Sequence, residues 1–219
     1  MVQIMSNSIL ALAAAAGTSL LLAAAPLASA APYPFGVDFK GEGTYYGDVS
    51  PGDGNCAIED PIPSMYAGMI PMAVSLYDMY ENSAVCGACI EGYGTGSGAG
   101  ADPIKGAFKG FVSDSCGGCA KGDLDFAMVG DGRWDIEWKF VECPSGGDPS
   151  FIFEGSNDWY WKIQPRETKS PVMQLWVGGE QAEMTQDNFF TATTGPFYGE
   201  QTVKTTTLTG ETRSTKVAL

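Results

Sequence analysis

Six cysteines constrain the fold of this 219-residue chain more than any other feature, and all six lie between Cys56 and Cys143. An even number of cysteines in an exported chain predicts three disulfides rather than reduced thiols. The C-terminal third of the chain contains no cysteine. This asymmetry predicts two domains, the first braced by disulfides and the second stabilised by its own apolar core.

The N-terminal segment indicates export. Residues 9–27 are apolar and rich in Ala and Leu, and Ala28-Ser29-Ala30 follows with the small-x-small pattern of a signal-peptidase site. This run is almost long enough to span a bilayer, but it ends at the cleavage site without flanking basic residues. We therefore expect a signal peptide at 1–30 and an extended lead-in at 31–39. The mature protein is then secreted and extracellular, without membrane attachment.

The charge of the chain narrows the classes of partner and chemistry. The formal net charge is −14, and the chain contains no histidine. An acidic surface repels nucleic acid and anionic polymers, so we exclude nucleic acid and expect a neutral partner. The absence of histidine excludes Ser-His-Asp and Cys-His catalysis and histidine-ligated metal sites. Any acid–base chemistry therefore falls to carboxylates, with Tyr or Lys as helpers.

Short apolar runs between turn residues predict an all-β protein. In residues 135–141 apolar and charged side chains alternate, which predicts a half-buried strand, whereas Ala73 to Tyr80 is predicted as two helical turns because it follows Pro71. The Pro- and Gly-rich break at 144–149 leads us to place a first domain at 40–145, a linker at 146–150 and a second domain at 151–219. Strand-like runs typical of an all-β sandwich follow the break, at 151–153, 159–164, 172–177, 189–194 and 202–208, the last entering a hairpin that turns at Thr209-Gly210.

Several motifs, in the same order along the chain, resemble those of the expansin family and its bacterial, fungal and protist relatives. Together they cover nearly the whole mature chain, although no single motif is decisive. In the first domain the motifs are GEGTYYG at 41–47, GNC at 54–56, CGAC at 86–89, VSDSCGGCAKGDLD at 112–125 and WKFVECP at 138–144, and in the second they are NDWYWKIQ at 157–164 and PVM at 171–173.

The resemblance implies a six-stranded double-psi β-barrel followed by an immunoglobulin-like β-sandwich. It also implies the pairings Cys56–Cys86, Cys89–Cys143 and Cys116–Cys119, which the spacing alone leaves open. Without the resemblance, two CxxC pairs are also compatible with a zinc site of four thiolates. Because an exported chain favours disulfides, we expect no metal and no cofactor.

The resemblance places Asp114 and Asp125 in a polar groove of the barrel, beside Thr44. In the family, wall loosening depends on the aspartate that matches Asp125. The same position corresponds to the general acid of the related inverting endoglucanases of glycoside hydrolase family forty-five. The alternative is that Asp123 and Asp125 cap the turn after Gly122, and the resemblance favours a groove role for Asp125 only.

Asp48 departs from the family pattern. Inverting hydrolysis needs a second carboxylate as base, which expansins lack. Asp48 stands where typical expansins have glycine, at the spacing of the endoglucanase base, but Val49 follows it where the endoglucanase motif has cysteine. A solvated turn residue is the alternative interpretation. A second departure is Cys116, which replaces a groove tyrosine of bacterial relatives.

Tyrosines near the start of the barrel are candidates to replace that missing contact. Tyr45 or Tyr46 could do so, and the sequence does not decide between them. We include Tyr46 in the predicted polysaccharide-binding set.

Aromatic residues of the second domain are the other predicted binding residues, because flat rings stack on the apolar faces of sugar rings. The resemblance places Trp159 and Tyr160 in one surface row, whereas strict strand alternation puts them on opposite faces with Trp161 in the core. A bulge near Trp159 would reconcile the two. The family's third ring falls near Gln186, where this chain has none, and Trp176 either serves instead or is buried.

These residues favour a monomeric, non-hydrolytic wall-loosening protein of the cell wall that binds cellulose, xyloglucan or a related neutral glucan. One alternative is an enzyme, either an inverting β-1,4-glucan endohydrolase with Asp125 as acid and Asp48 as base or a lytic transglycosylase. Another is a defence protein related to barwin, which would not require the second domain.

Overall fold

The computed structural model describes residues 35–145 and 147–219, so the predicted signal peptide lies outside the described residues. Within these ranges no helix has both the length and the apolar character needed to cross a bilayer. The chain is all-β, as the sequence predicted, with a short 3-10 helix at Ser64–Tyr66 before the second strand.

Six strands close into a barrel in the order β1-β5-β2-β4-β3-β6. The pairs β1–β5 and β2–β4 are parallel, and the other pairs are antiparallel. Parallel neighbours need long crossover connections, which explains why strands distant in sequence lie side by side. The barrel strands are β1 (Phe39–Tyr45), β2 (Ile70–Ser75), β3 (Cys89–Ala99), β4 (Lys105–Cys116), β5 (Leu124–Phe126) and β6 (Arg133–Val141).

The strand predicted at 135–141 is confirmed within β6. Its alternating apolar side chains enter the barrel core, where Trp138 packs against Phe39 with ring centroids 4.6 Å apart. The Trp138 indole nitrogen donates a hydrogen bond to the carbonyl oxygen of Gly122 at 2.7 Å. This bond ties the loop before β5 to the core.

The helix predicted at Ala73 to Tyr80 is wrong. Ala73 lies in β2, which pairs with both β4 and β5. Its consecutive residues Met72, Ala73 and Val74 are all buried. A short apolar run enclosed on both faces lacks the period of two that marks a half-buried strand, and it therefore resembles a buried helix in sequence.

The second part of the chain is a seven-stranded sheet in the order β13-β12-β9-β10-β11-β8-β7. Strand β10 pairs with β9 through Glu180–Ala182 and with β11 through its last residues, so it links the two halves of the sandwich. The hairpin predicted at Thr209-Gly210 is confirmed as β12–β13, whereas β10 was not predicted. The strands are β7 (Ser150–Phe153), β8 (Trp161–Arg166), β9 (Val172–Val177), β10 (Glu180–Met184), β11 (Phe190–Ala192), β12 (Gln201–Thr207) and β13 (Thr212–Val217).

Buried hydrogen bonds from β8 join the sandwich to the barrel. The fully buried Gln164 amide donates to the carbonyl oxygen of Cys56, at 3.2 Å. The Arg166 guanidinium donates to the carbonyl oxygens of Glu59 and Pro61 at 2.8 and 2.9 Å. Barrel and sandwich thus belong to one compact unit, and the domain limits at 40–145 and 151–219 stay a prediction.

All six cysteines form disulfides, in the pairing that the resemblance implied. Cys56–Cys86 and Cys89–Cys143 are buried, whereas Cys116–Cys119 closes a short surface loop. The two CxxC pairs therefore do not supply four thiolates to a zinc ion.

The two classes of disulfide should differ in their effect on stability, because a cross-link that closes a longer loop removes more entropy from the unfolded chain. Replacing Cys89 and Cys143 by Ser, which opens a separation of 54 residues, should lower the free energy of unfolding by about 4 kcal/mol. Replacing Cys116 and Cys119, separated by three residues, should cost less than about 2 kcal/mol. Urea unfolding followed by tryptophan fluorescence measures both, and equal losses would contradict the prediction.

Candidate functional site

Polar residues from three strands of the barrel form a row around Ala73. Ala73 on β2 pairs with Asp114 on β4 and with Asp125 on β5, and Asp125 pairs in turn with Thr44 on β1. Directly paired residues point to the same side of a sheet, and neighbouring strands lie about 4.8 Å apart. The two aspartates are thus separated by one strand, and the small Ala73 side chain leaves space between them. We call Thr44, Tyr46, Asp114 and Asp125 the polar site.

The surroundings of Asp125 make its carboxyl group a weaker acid than that of a free aspartate. Burial raises the pKa of Asp125, and the charge of Asp114 adds to this rise. The Thr44 hydroxyl, which donates a hydrogen bond to the Asp125 carboxylate at 2.6 Å, lowers the same pKa, as does the positive charge of Arg133. Because burial outweighs the opposing contacts, the protonated form of Asp125 is favoured more than in a free aspartate.

Asp114 has a partly structural role. Its Oδ1 atom accepts hydrogen bonds from the backbone N–H groups of Asn55 at 2.8 Å and Ser115 at 2.7 Å. The turn at Asn55 approaches β4 so closely that a Cβ atom on Gly54 would lie 2.4 Å from the carbonyl oxygen of Ser113. Asp114 therefore anchors this turn while its carboxylate remains at the polar site.

The structure brings Tyr46, rather than Tyr45, to the polar site. Burial raises the pKa of Tyr46 to about 12, and the charges of Asp114 and Asp125 contribute to that rise. The Tyr46 hydroxyl therefore stays protonated and is available as a hydrogen-bond donor. The Tyr45 hydroxyl instead donates to the carbonyl oxygen of Asp102 at 2.6 Å.

Asp48 and Asp123 have different surroundings. Asp48 is exposed in the bend that follows β1, and its role as a base stays a prediction. Asp123 is buried, and its two carboxylate oxygens accept the backbone N–H groups of Glu42 at 2.8 Å and Ala120 at 2.9 Å. The turn-capping interpretation is therefore correct for Asp123.

The Cys116–Cys119 disulfide forms one edge of the polar site. Its two sulfur atoms and a carboxylate oxygen of Asp125 all lie within 4.8 Å of one another. Such a group could hold a metal ion only if the sulfurs were thiolates, and here both are in the disulfide. The predicted loss of a groove tyrosine at Cys116 stays a prediction, and the structure places a disulfide at this edge of the site.

The predicted aromatic row begins in a turn, not in a strand. Asn157 Oδ1 accepts the backbone N–H of Trp159 at 2.9 Å, and an isolated bridge joins Asn157 to Tyr160 before β8 starts at Trp161. Trp161 is fully buried, as predicted, whereas Trp159 is 60% exposed and Tyr160 is half-buried. Strict alternation fails at Trp159 because a turn replaces the expected bulge.

Tyr198 is an exposed aromatic residue that the sequence interpretation missed. Its side chain is 62% exposed, and its ring lies 6.4 Å from that of Trp159 at an interplanar angle of 76°. No sequence signal marked this residue, because its exposure depends on the neighbouring Phe197, which is buried against Trp161 in the structure.

Trp176 lies elsewhere in the sandwich. It is half-buried on β9, with the Lys204 ammonium 4.6 Å from its ring centroid. Strands β10 and β11 separate β9 from β8 in the sheet. The structure therefore does not bring Trp176 next to Trp159 and Tyr160.

Comparison with known proteins gives a consistent result. No protein-family model matches the chain. Expansin-YoaJ of Bacillus subtilis (strain 168) is 32% identical over 148 residues, which are 62% of this chain and 58% of the relative. This chain therefore spans less than two thirds of the relative's length.

Two crystal structures of Clavibacter michiganensis expansin share the fold. A mutant in complex with cellohexaose has a TM-score of 0.66 at 23% identity, and the apo protein has 0.63 at 22%. Each match covers 82% of this chain and 90% of the other. Together these similarities confirm the resemblance to the expansin family, and the barrel with its second sheet is the two-domain expansin fold.

The hydrogen bond from Thr44 gives a direct test of the polar site. Thr44→Val removes the hydroxyl that stabilises the charged carboxylate, so the pKa of Asp125 should rise above its wild-type value. Carbon-13 NMR titration of the aspartate carboxyl groups measures this pKa. Thr202→Val, at an exposed position of β12, is the matched control and should leave it unchanged. A pKa of Asp125 that falls or stays constant in Thr44→Val would contradict this arrangement.

Proposed function

We propose that this protein is a secreted, monomeric wall-loosening protein that binds cellulose or a related neutral glucan without cutting it. The observation that carries the proposal is the exposed Trp159 ring, with Tyr198 beside it, on the same molecule as the half-buried polar site. A structural neighbour with this fold was crystallised with cellohexaose, which supports a β-glucan as the ligand.

Docking through Trp159 suits both the ligand and the charge of the protein. A flat indole face covers the apolar face of a sugar ring and releases water, while the equatorial hydroxyls of the sugar stay solvated. Tyr198 stands nearly perpendicular to Trp159, so it forms a wall beside the stacking face. Such contacts need no charge on the ligand, and the net charge of −14 disfavours anionic polymers.

The polar site can then compete for hydrogen bonds between glucan chains. Tyr46 is a protonated donor, and the raised pKa of Asp125 favours its donor form more than in a free aspartate. A chain held against these groups exchanges contacts with neighbouring chains for contacts with the protein. Loosening by this route breaks no covalent bond.

Hydrolysis is the second candidate function. The raised pKa of Asp125 suits a general acid, and Asp48 is an exposed carboxylate that could activate water. One observation favours the non-hydrolytic proposal over it. Asp114, the carboxylate aligned with Asp125, accepts two backbone N–H groups and so has a partly structural role.

Removal of the exposed rings tests the docking surface. Trp159→Ala combined with Tyr160→Ala should abolish pull-down on microcrystalline cellulose, and Tyr198→Ala should weaken it by about three- to tenfold, because one aromatic contact is worth about 0.5–1.5 kcal/mol. Tyr93→Ala is the matched control, since Tyr93 is an exposed tyrosine on β3 of the barrel. Unchanged pull-down of the double variant would refute this docking surface.

Sugar release separates the two candidate functions. Wild type, Asp48→Ala and Asp125→Asn should all release no reducing ends from amorphous cellulose or xyloglucan. Wild type should extend a stretched wall strip, and Asp125→Ala should lose that activity because this variant has no hydrogen-bonding group at that position of the polar site. Steady release that either substitution abolishes would establish the hydrolase instead.

A further inference from the structure

A cleft lies between the barrel and the sandwich, next to the polar site. Its volume is about 570 Å³, within the range of about 300–1,000 Å³ that is common for ligand sites. Asn55, Leu76, Tyr77 and Tyr80 of the barrel and Gln186 and Asp187 of the sandwich contribute to its lining. We call it the junction cleft.

We propose that the junction cleft is a further glucan subsite, in which Tyr77 stacks on a sugar ring of the chain that passes from the sandwich to the polar site. This inference rests on the proposed function, because the polymer is the same neutral glucan. It adds a stacking residue supplied by the barrel, on a loop between the two parts of the molecule.

The local fold presents Tyr77 to solvent. The carbonyl oxygen of Ser75, at the end of β2, accepts the backbone N–H groups of Met79 at 3.0 Å and Tyr80 at 2.9 Å. This tight turn buries the Met79 side chain completely and leaves Tyr77 at its tip, 79% exposed. The neighbouring Leu76 is 37% exposed, so an aromatic ring and an aliphatic side chain together give the cleft an apolar surface.

The walls of the junction cleft are formed before any ligand binds. The Tyr80 hydroxyl lies 2.9 Å from the carbonyl oxygen of Asn55 and 2.7 Å from that of Gln186, so it bridges the barrel and the sandwich. The Ser83 hydroxyl donates to the carbonyl oxygen of Thr185 at 2.7 Å. A preformed site loses little conformational entropy when a ligand binds.

Backbone strain is concentrated in the same loop. Glu81, Asn82 and Ser83 have φ values of 43°, 55° and 68°, so three consecutive residues other than glycine adopt the left-handed conformation. Such conformations raise the free energy of the folded state, and they persist only where surrounding contacts hold the backbone in place. Here the contacts of Tyr80 and Ser83 with the sandwich hold the strained loop.

One hydrogen bond on each side links the lining of the junction cleft to the proposed binding surfaces. On the barrel side, the backbone N–H of Asn55 donates to the Asp114 carboxylate at 2.8 Å. On the sandwich side, Asp187 accepts a hydrogen bond from the Lys162 ammonium at 2.7 Å. Lys162 follows the buried Trp161 on β8 and so points away from the core, and Tyr160 lies in the turn directly before β8. The cleft therefore lies between the aromatic surface and the polar site.

Oligosaccharide length distinguishes this subsite from the surfaces on either side of it. In calorimetric titrations, Tyr77→Ala should bind cellohexaose about three- to tenfold more weakly than wild type, since one stacked ring is lost. Cellobiose, which has only two sugar rings, should bind at the aromatic surface alone and should therefore bind both proteins equally. Tyr93→Ala should match wild type, and the exposure of both tyrosines means that neither substitution should lower the thermal unfolding midpoint.

The outcomes also separate this inference from the proposed function. If wild type binds neither oligosaccharide nor cellulose, the proposed function fails and the subsite fails with it. If wild type binds cellohexaose and Trp159→Ala weakens that binding, but Tyr77→Ala binds as wild type does, the subsite alone is wrong. A loss in Tyr77→Ala that Tyr77→Phe restores supports stacking by the ring.

Discussion

The pairing of β2 with both β4 and β5 is the constraint on which the candidate site depends. Through Ala73 this strand aligns Asp114 and Asp125, and the β1–β5 pair adds Thr44 to the same row. A shift of one residue in either pairing would turn an aspartate to the other face of the sheet. The barrel therefore determines which carboxylates can act together, and it excludes the turn aspartate Asp123 from that group.

Burial then gives the aligned groups their chemical character. Partial desolvation raises the pKa of both Asp125 and Tyr46, so the site contains a weak acid beside a neutral phenol. In the sandwich the opposite situation holds, because Trp159 and Tyr198 keep most of their surface in water. Under the proposed function, the two parts of the molecule thus offer different interactions to one polymer, hydrogen bonds in the barrel and ring stacking in the sandwich.

Much of this arrangement was predictable from the sequence, and the exceptions have physical causes. The motif resemblance gave the barrel, the sandwich and all three disulfides. The helix predicted at Ala73 to Tyr80 was wrong because β2 is buried on both faces. Its sequence therefore does not alternate between apolar and polar residues, as a half-buried strand does. Tyr198 was missed because exposure in a Pro- and Gly-rich loop depends on the burial of the neighbouring Phe197, which is a tertiary contact. The role of Asp48 as a base stays a prediction, because spacing along the chain does not determine which carboxylates face one another.

The buried hydrogen bonds of Gln164 and Arg166 have a kinetic consequence. They attach β8, which follows the exposed aromatic turn, directly to the loop Cys56 to Pro61 of the barrel. Under the proposed function, a sandwich bound to a polymer holds the barrel near that surface, so the contact between the barrel and the polymer becomes intramolecular. The polar site then meets glucan at a high effective concentration, even if its own affinity is weak. A rigid attachment of this kind favours repeated local encounters over release and return through solution.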